Sequence, residues 1–227
     1  MGMITLKRPS FKTAGDILIP PSDIRLDCRF FEGGGSRLHD YSLFRNYGII
    51  TGPLWTLGRR GYALNFDGIN DRVNFSPNPS FNITDKLTVE ILVYFKNPPS
   101  ASTTMFAKAV SASKSWELDF SGPTKRISFS VYDGTVWRST TYKTDIVIGR
   151  WYHIVATYNQ STGEFKAFID GQLEGTGSSP ALAISTTDVT LGCRADGQYV
   201  DALIEKAVIY NRVLSQDEIQ ANYEETK

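Results

Sequence analysis

Glu117 and Asp119 are the acidic residues whose spacing comes nearest to a catalytic pair in this chain. Two positions apart on an extended strand, they share one face of it. Two carboxyl groups hydrolyse a glycosidic bond with retention when they are about 5–5.5 Å apart, and with inversion at about 6.5–9.5 Å. A solvated strand face explains the same residues without catalysis, and this is the interpretation we adopt.

A second candidate site is a hairpin around Asp133-Gly134 that is rich in aromatic residues. Tyr132 has the opposite parity to Val131, so it faces solvent if Val131 faces the core. Exposed rings of this kind stack on the apolar faces of sugars, beside polar groups that orient the hydroxyls. Ordinary cross-strand aromatic packing is the alternative. The predicted ligand-binding surface consists of Tyr132, Asp133, Trp137, Arg138 and Tyr142.

The sequence contains few residues that could support nucleophilic catalysis or metal binding. The chain has two cysteines, Cys28 and Cys193, and two histidines, His39 and His153. These are too few for a disulfide scaffold or a clustered metal site. We expect two free, buried thiols, with a single bridge as the alternative. His153 lies among apolar and aromatic neighbours and is interpreted as structural.

The composition limits the classes of partner that this protein can bind. Hydrophobic residues make up 41% and charged residues 21% of the 227 residues, as in ordinary globular domains. The 24 basic residues balance the 24 acidic ones, so no positive field exists to hold nucleic acid. No window reaches the roughly 18 apolar residues that membrane insertion requires. The N-terminus shows no signal peptide, and we expect an extracellular or virion-surface location.

Short strands must position these candidate residues. Alternation of apolar and polar residues begins at Ile24, and further strand-like runs follow, each bounded by Gly, Pro, Asn or Asp. A dozen short strands with little helix predict two antiparallel sheets packed face to face. The later candidates are 63–66, 72–75, 87–95, 104–108, 116–120, 126–131, 136–142, 152–159, 164–169, 189–191 and 202–210.

The two ends of the chain differ from this pattern. Residues 1–22, from Met1 to Ser22, lack periodicity and contain three prolines, which predicts an extended N-terminal arm before one domain over 23–227. Near the C-terminus, Ser215 and Glu218 fit a capping box that begins a short helix.

An oxygen-rich turn follows the strand candidate at 63–66. If the first and last strands are neighbours, Glu205 on the last strand could complete a calcium site, since calcium takes six to eight oxygens at about 2.3–2.6 Å. The alternative is a turn in which Asp67 and Asn70 bond nearby N–H groups, and Lys206 adds a positive charge beside it. No cofactor is required otherwise, and the possible structural calcium would be held by Asp67, Gly68 (carbonyl), Asn70, Asp71 and Glu205.

The order of four sequence runs carries a family resemblance: 63–73, 149–158, 168–171 and 208–215. These runs resemble the laminin G-like modules of the concanavalin A-like lectin and glucanase group over about 24–223. The resemblance implies a jelly-roll sandwich that binds a ligand more often than it catalyses a reaction. It also implies that Trp55 and Trp151 are core residues, and alternation suggests the same for Trp116.

Two departures from the family pattern concern the sites. The family's acidic pair before the last strand is replaced here by Glu205-Lys206, which weakens the calcium prediction. The laminarinase and agarase relatives carry Glu-x-Asp-x-x-Glu on one strand, whereas this chain has Gly122 in place of the final acid.

We therefore expect a non-catalytic recognition module that binds a glycan or a glycosylated surface. A second hypothesis is a decoration or tail-adhesin protein of a phage or virus particle that docks on neighbouring subunits through residues 1–22. Glycoside hydrolysis is a third hypothesis and requires acids distant in sequence to converge.

Overall fold

The structure, a computed structural model, describes residues 20–122, 124–142 and 145–227. Most of the predicted arm, residues 1–19, lies outside this range. The helix α1 spans Gln216–Glu224, and short 3-10 turns span Pro21–Asp23 and Pro79–Phe81. The strands are β1 Ile24–Cys28, β2 Arg37–Leu38, β3 Gly48–Thr51, β4 Leu54–Leu57, β5 Tyr62–Asp67, β6 Arg72–Phe75, β7 Lys86–Phe95, β8 Thr103–Val110, β9 Ser113–Ser121, β10 Arg126–Tyr132, β11 Trp137–Ser139, β12 Thr141–Tyr142, β13 Trp151–Asn159, β14 Glu164–Ile169, β15 Gln172–Ser178, β16 Val189–Leu191 and β17 Asp201–Tyr210.

These strands form two antiparallel sheets. Sheet A has the order β12-β15-β14-β13-β7-β17-β5-β4, and β1 pairs with the far half of β17. Sheet B has the order β11-β10-β9-β8-β16-β6-β3-β2. The predicted all-β jelly-roll sandwich with a short C-terminal helix is confirmed.

The core fills the space between the sheets because alternate side chains of each strand point inward. In β9, Trp116, Leu118 and Phe120 are buried there, against Phe95 and Phe106 from the facing and neighbouring strands. The residues between them in β9 belong to the opposite, outer face of sheet B.

Both cysteines are free and buried, as expected. Cys28 ends β1 in sheet A, whereas Cys193 follows β16 in sheet B. The two thiols therefore act as small apolar side chains in separate layers.

The C-terminal helix begins where the capping box predicts. The Ser215 hydroxyl accepts a hydrogen bond from the backbone N–H of Glu218, and the Glu218 carboxylate accepts one from the N–H of Ser215. Ile219 of this helix is fully buried with Val155 and Val208 on the outer face of sheet A. The helix thus covers part of that outer face.

The predicted single strand over 136–142 is wrong. β11 pairs with β10 in sheet B, whereas β12 pairs with β15 in sheet A. Between them, Thr140 is buried, and its N–H and hydroxyl bond the backbone of Phe129. These bonds redirect the chain from one sheet to the other.

Candidate functional site

The outer face of sheet B carries most of the candidate residues. In the β10–β11 ladder Tyr132 is directly opposite Trp137. Between β10 and β9, Ser130 is opposite Glu117 and Ser128 is opposite Asp119. Because residues opposite one another point to the same side, an aromatic pair and two carboxyl groups share one sheet face.

The aromatic pair lies at the edge of this face. The Tyr132 and Trp137 ring centroids are 5.5 Å apart with an interplanar angle of 63°, and both residues are half-buried. The Tyr132 hydroxyl donates to the carbonyl of Thr135 (3.1 Å), and the Lys114 ammonium lies 5.0 Å from the Tyr132 ring centroid. These two contacts hold the Tyr132 ring in place, and Trp137 is the outer ring of the pair.

Asp133 and Arg138 are engaged within the hairpin. One Asp133 oxygen accepts hydrogen bonds from the N–H and hydroxyl of Thr135 and from the N–H of Val136. The other oxygen accepts from Arg138 Nε at 2.9 Å. These hydrogen bonds, led by that from the Thr135 hydroxyl, lower the pKa of Asp133. Asp133 therefore shapes the turn that presents Trp137.

Tyr142 does not share the sheet of the other four predicted residues. It lies in β12, opposite Gly175 of sheet A. The change of sheet at Thr140 separates it from Trp137, so the predicted surface reduces to residues of the β10–β11 hairpin.

Glu117 and Asp119 are not on a solvated strand face, which corrects the interpretation made from sequence. Each is more than nine-tenths buried, because the loop between β16 and β17 folds over them. In that loop, the backbone carbonyl oxygen of Gln198 accepts a hydrogen bond from the backbone N–H of Thr104 (2.7 Å). Arg194 Nη1 lies 3.8 Å from Glu117 Oε2.

Burial raises the pKa of both carboxyl groups. The charge of Glu117 raises the pKa of Asp119 further. Thr104 Oγ1 lies 2.7 Å from Asp119 Oδ1 and 2.9 Å from Gln198 Oε1, and one hydroxyl proton cannot satisfy two acceptors. A protonated Asp119 that donates to Thr104 removes this conflict.

Replacing Asp119 with asparagine is expected to stabilise the protein by roughly 1–3 kcal/mol at pH 8, because asparagine donates to Thr104 without the cost of holding a proton that the unfolded chain releases. A carboxyl group whose pKa is raised by folding stabilises the folded state most at low pH. This stabilisation is fully present below the unfolded-state pKa, about 3.9, and is lost as the pH rises through the folded-state pKa. The gain should therefore grow between pH 4 and pH 8 in urea unfolding. Asp85→Asn, at an exposed position, is the control. A gain that does not vary with pH would contradict the protonated Asp119.

This pair does not have the geometry of a glycosidase. Hydrolysis requires carboxyl groups about 5 Å or more apart with the substrate between them. Here both carboxyl groups are buried beneath a loop, where a substrate in solution does not reach them.

The predicted calcium residues do not come together as one cage. Asp67 accepts the N–H groups of Ile69 and Asn70, and Asp71 accepts the N–H of Asp67. This is the hydrogen-bonded turn that was the alternative to a metal site, and Gly68 adopts a φ of +75° within it.

Glu205 lies apart from that turn. Asp67 is opposite Asp201 in the ladder, and Glu205 is four residues further along β17, on the order of 13 Å away. Its carboxylate accepts the N–H groups of Arg59 (2.5 Å) and Arg60 (2.8 Å) in the turn between β4 and β5.

A lysine ammonium is the cation at the end of the β5–β17 ladder. Lys96 Nζ donates to Asn65 Oδ1 (2.6 Å) and to the carbonyl of Phe66 (2.7 Å), and lies 2.5 Å from Asp201 Oδ1. Among the described residues, no group of three or more His, Cys, Asp or Glu side chains is placed to hold a metal ion.

The tryptophans differ from one another in their environment. Trp116 is buried, and Trp55 packs against the core with its indole N–H donating to the carbonyl of Gly35. Trp151, however, points away from the core, because it alternates with the buried Tyr152 and Ile154. The expectation that Trp151 is a core residue is wrong, and this alternation was visible in the sequence.

The sequence profile of the concanavalin A-like lectin/glucanases superfamily matches residues 67–220, more than half of the chain. The chain belongs to this superfamily. The matched range begins at the end of β5 and reaches into the C-terminal helix, so it includes the whole β10–β11 hairpin with the Tyr132–Trp137 pair.

One curated relative of this concanavalin A-like domain is the non-toxic nonhemagglutinin of Paraclostridium bifermentans. It is 26% identical over 169 residues, which cover 73% of this chain and 14% of that protein. The chain therefore spans about one seventh of the length of this relative.

Solved structures share the fold at low sequence identity. The binding domain of Paraclostridial Mosquitocidal Protein 1 has a TM-score of 0.74 and 13% identity, with 89% of this chain and 52% of that one covered. Domain 4 of AbnA, an extracellular GH43 arabinanase of Geobacillus stearothermophilus in complex with arabinotriose, has a TM-score of 0.71 and 17% identity, with 88% and 97% covered. The chain thus shares its fold with the binding domain of a mosquitocidal protein and with an arabinanase domain that was solved with arabinotriose. Within the described residues no helix is long and apolar enough to cross a membrane.

Proposed function

We propose that this domain is a non-catalytic carbohydrate-recognition module that binds a glycan on the outer face of sheet B. The observation that carries the proposal is the Tyr132–Trp137 pair, two half-buried rings in contact at the edge of an otherwise polar sheet face. Rings in this position stack on the apolar face of a sugar while neighbouring polar groups orient its hydroxyls.

The polar groups beside the pair are suited to this role. The exposed Ser139 has its hydroxyl oxygen 2.8 Å from that of Ser130, a buried residue opposite it in the ladder. Lys114 lies against Tyr132 and supplies a donor at the rim. Together with the outer ring of Trp137, these groups form a shallow platform rather than an enclosed pocket.

The relatives support the ligand class and the location. An arabinanase domain of the same fold was solved with arabinotriose, so a short neutral oligosaccharide is the first probe to use. That enzyme is extracellular, and the mosquitocidal relative is a binding domain. We place the present domain outside the cell, where its partner would be a glycan or a glycosylated surface.

The Trp137→Ala variant is expected to bind its oligosaccharide at least tenfold more weakly than the wild type. Losing one stacked ring removes about 1.4 kcal/mol of binding free energy, which is a tenfold change in Kd. A glycan array that includes arabino-oligosaccharides identifies the ligand, and titration calorimetry measures the variant. Running the array with calcium and with a chelator also tests whether binding depends on the calcium predicted from the sequence.

Phe31→Ala is the matched control, because Phe31 is an exposed aromatic residue on a different surface. It should bind like the wild type. A blank array under both conditions would reject the carbohydrate proposal. Equal losses in the Phe31 and Trp137 variants would reject this sheet face as the site.

A further inference from the structure

On the opposite side of the sandwich, the outer face of sheet A carries a cleft of about 370 Å³. Its lining joins the ends of β7 and β13, the turn between β4 and β5, and the C-terminal helix. Small-molecule pockets start at about this size. The residues that matter here are Arg59, Tyr94, Arg150, Trp151, Asp170 and Tyr223.

Aromatic rings line this cleft. Trp151 is directly opposite Tyr94 in the β7–β13 ladder, and their ring centroids are 5.6 Å apart at 54°. On the helix side, Tyr223 is stacked on the buried His153 ring at 6.0 Å and 22°. Three half-buried rings fixed by neighbouring elements offer an apolar surface to one face of a bound ring.

The charges in the cleft do not cancel. Arg150 is paired with Asp170 and lies over the Tyr152 ring, so this guanidinium is compensated. Arg59 is exposed, and no carboxylate of the described residues pairs with its side chain. Its backbone is nevertheless fixed, because the N–H of Arg59 donates to the Glu205 carboxylate. The cleft therefore contains one guanidinium without a carboxylate partner, carried on a fixed backbone beside aromatic rings.

We propose that this cleft is a second binding site, specific for a carboxylate-bearing sugar. The Trp151 and Tyr94 rings stack on the sugar, and the Arg59 guanidinium pairs with its carboxylate, in the planar two-bond geometry that arginine favours. The compensated Arg150–Asp170 pair offers further polar atoms for the ring hydroxyls. This site is independent of the Tyr132–Trp137 platform on the other sheet.

Titration calorimetry with glucuronate and with glucose on the full chain tests the proposal, since the two sugars differ in one carboxylate. We expect glucuronate to bind at least tenfold more tightly than glucose, and the preference to shrink as salt is raised. Arg59→Gln should reduce glucuronate affinity at least tenfold. Arg60→Gln is the matched control: it is the next residue, it is exposed, its N–H is bonded to the same Glu205 carboxylate, and it does not line the cleft.

Retained glucuronate binding in Arg60→Gln and in Trp137→Ala supports the site and separates it from the platform on sheet B. Equal affinity for glucose and glucuronate, or equal losses in Arg59→Gln and Arg60→Gln, overturns it. Absence of glucuronate binding in the wild type, measured on protein whose circular dichroism is native, also overturns it.

Discussion

Replacing Glu90 with glutamine is expected to lower the free energy of unfolding by about 3 kcal/mol at pH 7, the loss typical of breaking a buried ion pair from one side. Glu90 is fully buried in β7, beneath the C-terminal helix. Its carboxylate accepts hydrogen bonds from His153 Nε2 (2.8 Å), the Tyr210 hydroxyl (2.7 Å) and Asn222 Nδ2 (2.9 Å), and it pairs with Lys206. Glutamine keeps the shape but leaves the cation without its counter-charge.

The same network predicts how the loss depends on pH. Burial by itself would raise the pKa of Glu90, but the Lys206 charge and the hydrogen bonds from His153 and Lys206 together lower it. A carboxyl group with a lowered folded-state pKa contributes stability above its unfolded pKa, about 4.3, and that stability is lost as the pH falls below it. The difference between wild type and Glu90→Gln should therefore be largest near neutrality and shrink below about pH 4.

Urea unfolding at a series of pH values measures this difference. Glu164→Gln is the matched control, because Glu164 forms a half-exposed surface pair with Lys166 and should change stability by less than about 0.5 kcal/mol. A Glu90 variant no less stable than this control would show that the network contributes nothing to holding the helix.

Replacing Gly122 with alanine is expected to destabilise the protein by about 3 kcal/mol, the upper end of the usual range for overpacking. A Cβ atom at this position would lie 1.9 Å from the carbonyl oxygen of Pro99 and 2.8 Å from that of Ala101. Both contacts are with backbone atoms, which a rotamer change cannot relieve. An acidic side chain at this position, as in the Glu-x-Asp-x-x-Glu pattern, would meet the same backbone atoms.

Thermal or urea unfolding of Gly122→Ala beside Gly34→Ala tests this explanation. A Cβ atom at Gly34 would have no neighbouring atom within 4 Å, and the residue lies in an exposed loop. The Gly34 variant should therefore stay within about 0.5 kcal/mol of the wild type. Equal stabilities for the two variants would show that the strand end can move to accept a side chain at 122.

Local patterns predicted much of the fold. The alternation over 72–75 and 164–169 matched the bounds of β6 and β14, and Ser215 with Glu218 marked the start of the helix. Each of these signals acts between residues a few positions apart, so it can be read from the chain. The short strands β2, β3 and β4 and the glycine-containing β15 were missed, because their pairing partners rather than their own residues stabilise them.

The candidate sites were predicted less completely. The Asp133-Gly134 turn predicted that Trp137 lies near Tyr132 in one hairpin, and strand alternation correctly put Tyr132 on the outer side. Alternation also separated Glu117 and Asp119 from the core residues of β9, but it could not show that the distant Arg194–Gln198 loop buries them.

Periodicity and contacts between near neighbours along the chain were enough to establish the fold class, the two-faced strands, the helix cap and the aromatic hairpin. Which outer faces are covered depends on the folded arrangement of the whole domain. That arrangement moved Tyr142 to the other sheet, tied Glu205 to a turn far from Asp67, and opened the cleft at Trp151. Periodicity distinguishes the two faces of a strand, whereas the cover on each face comes from segments far apart in sequence.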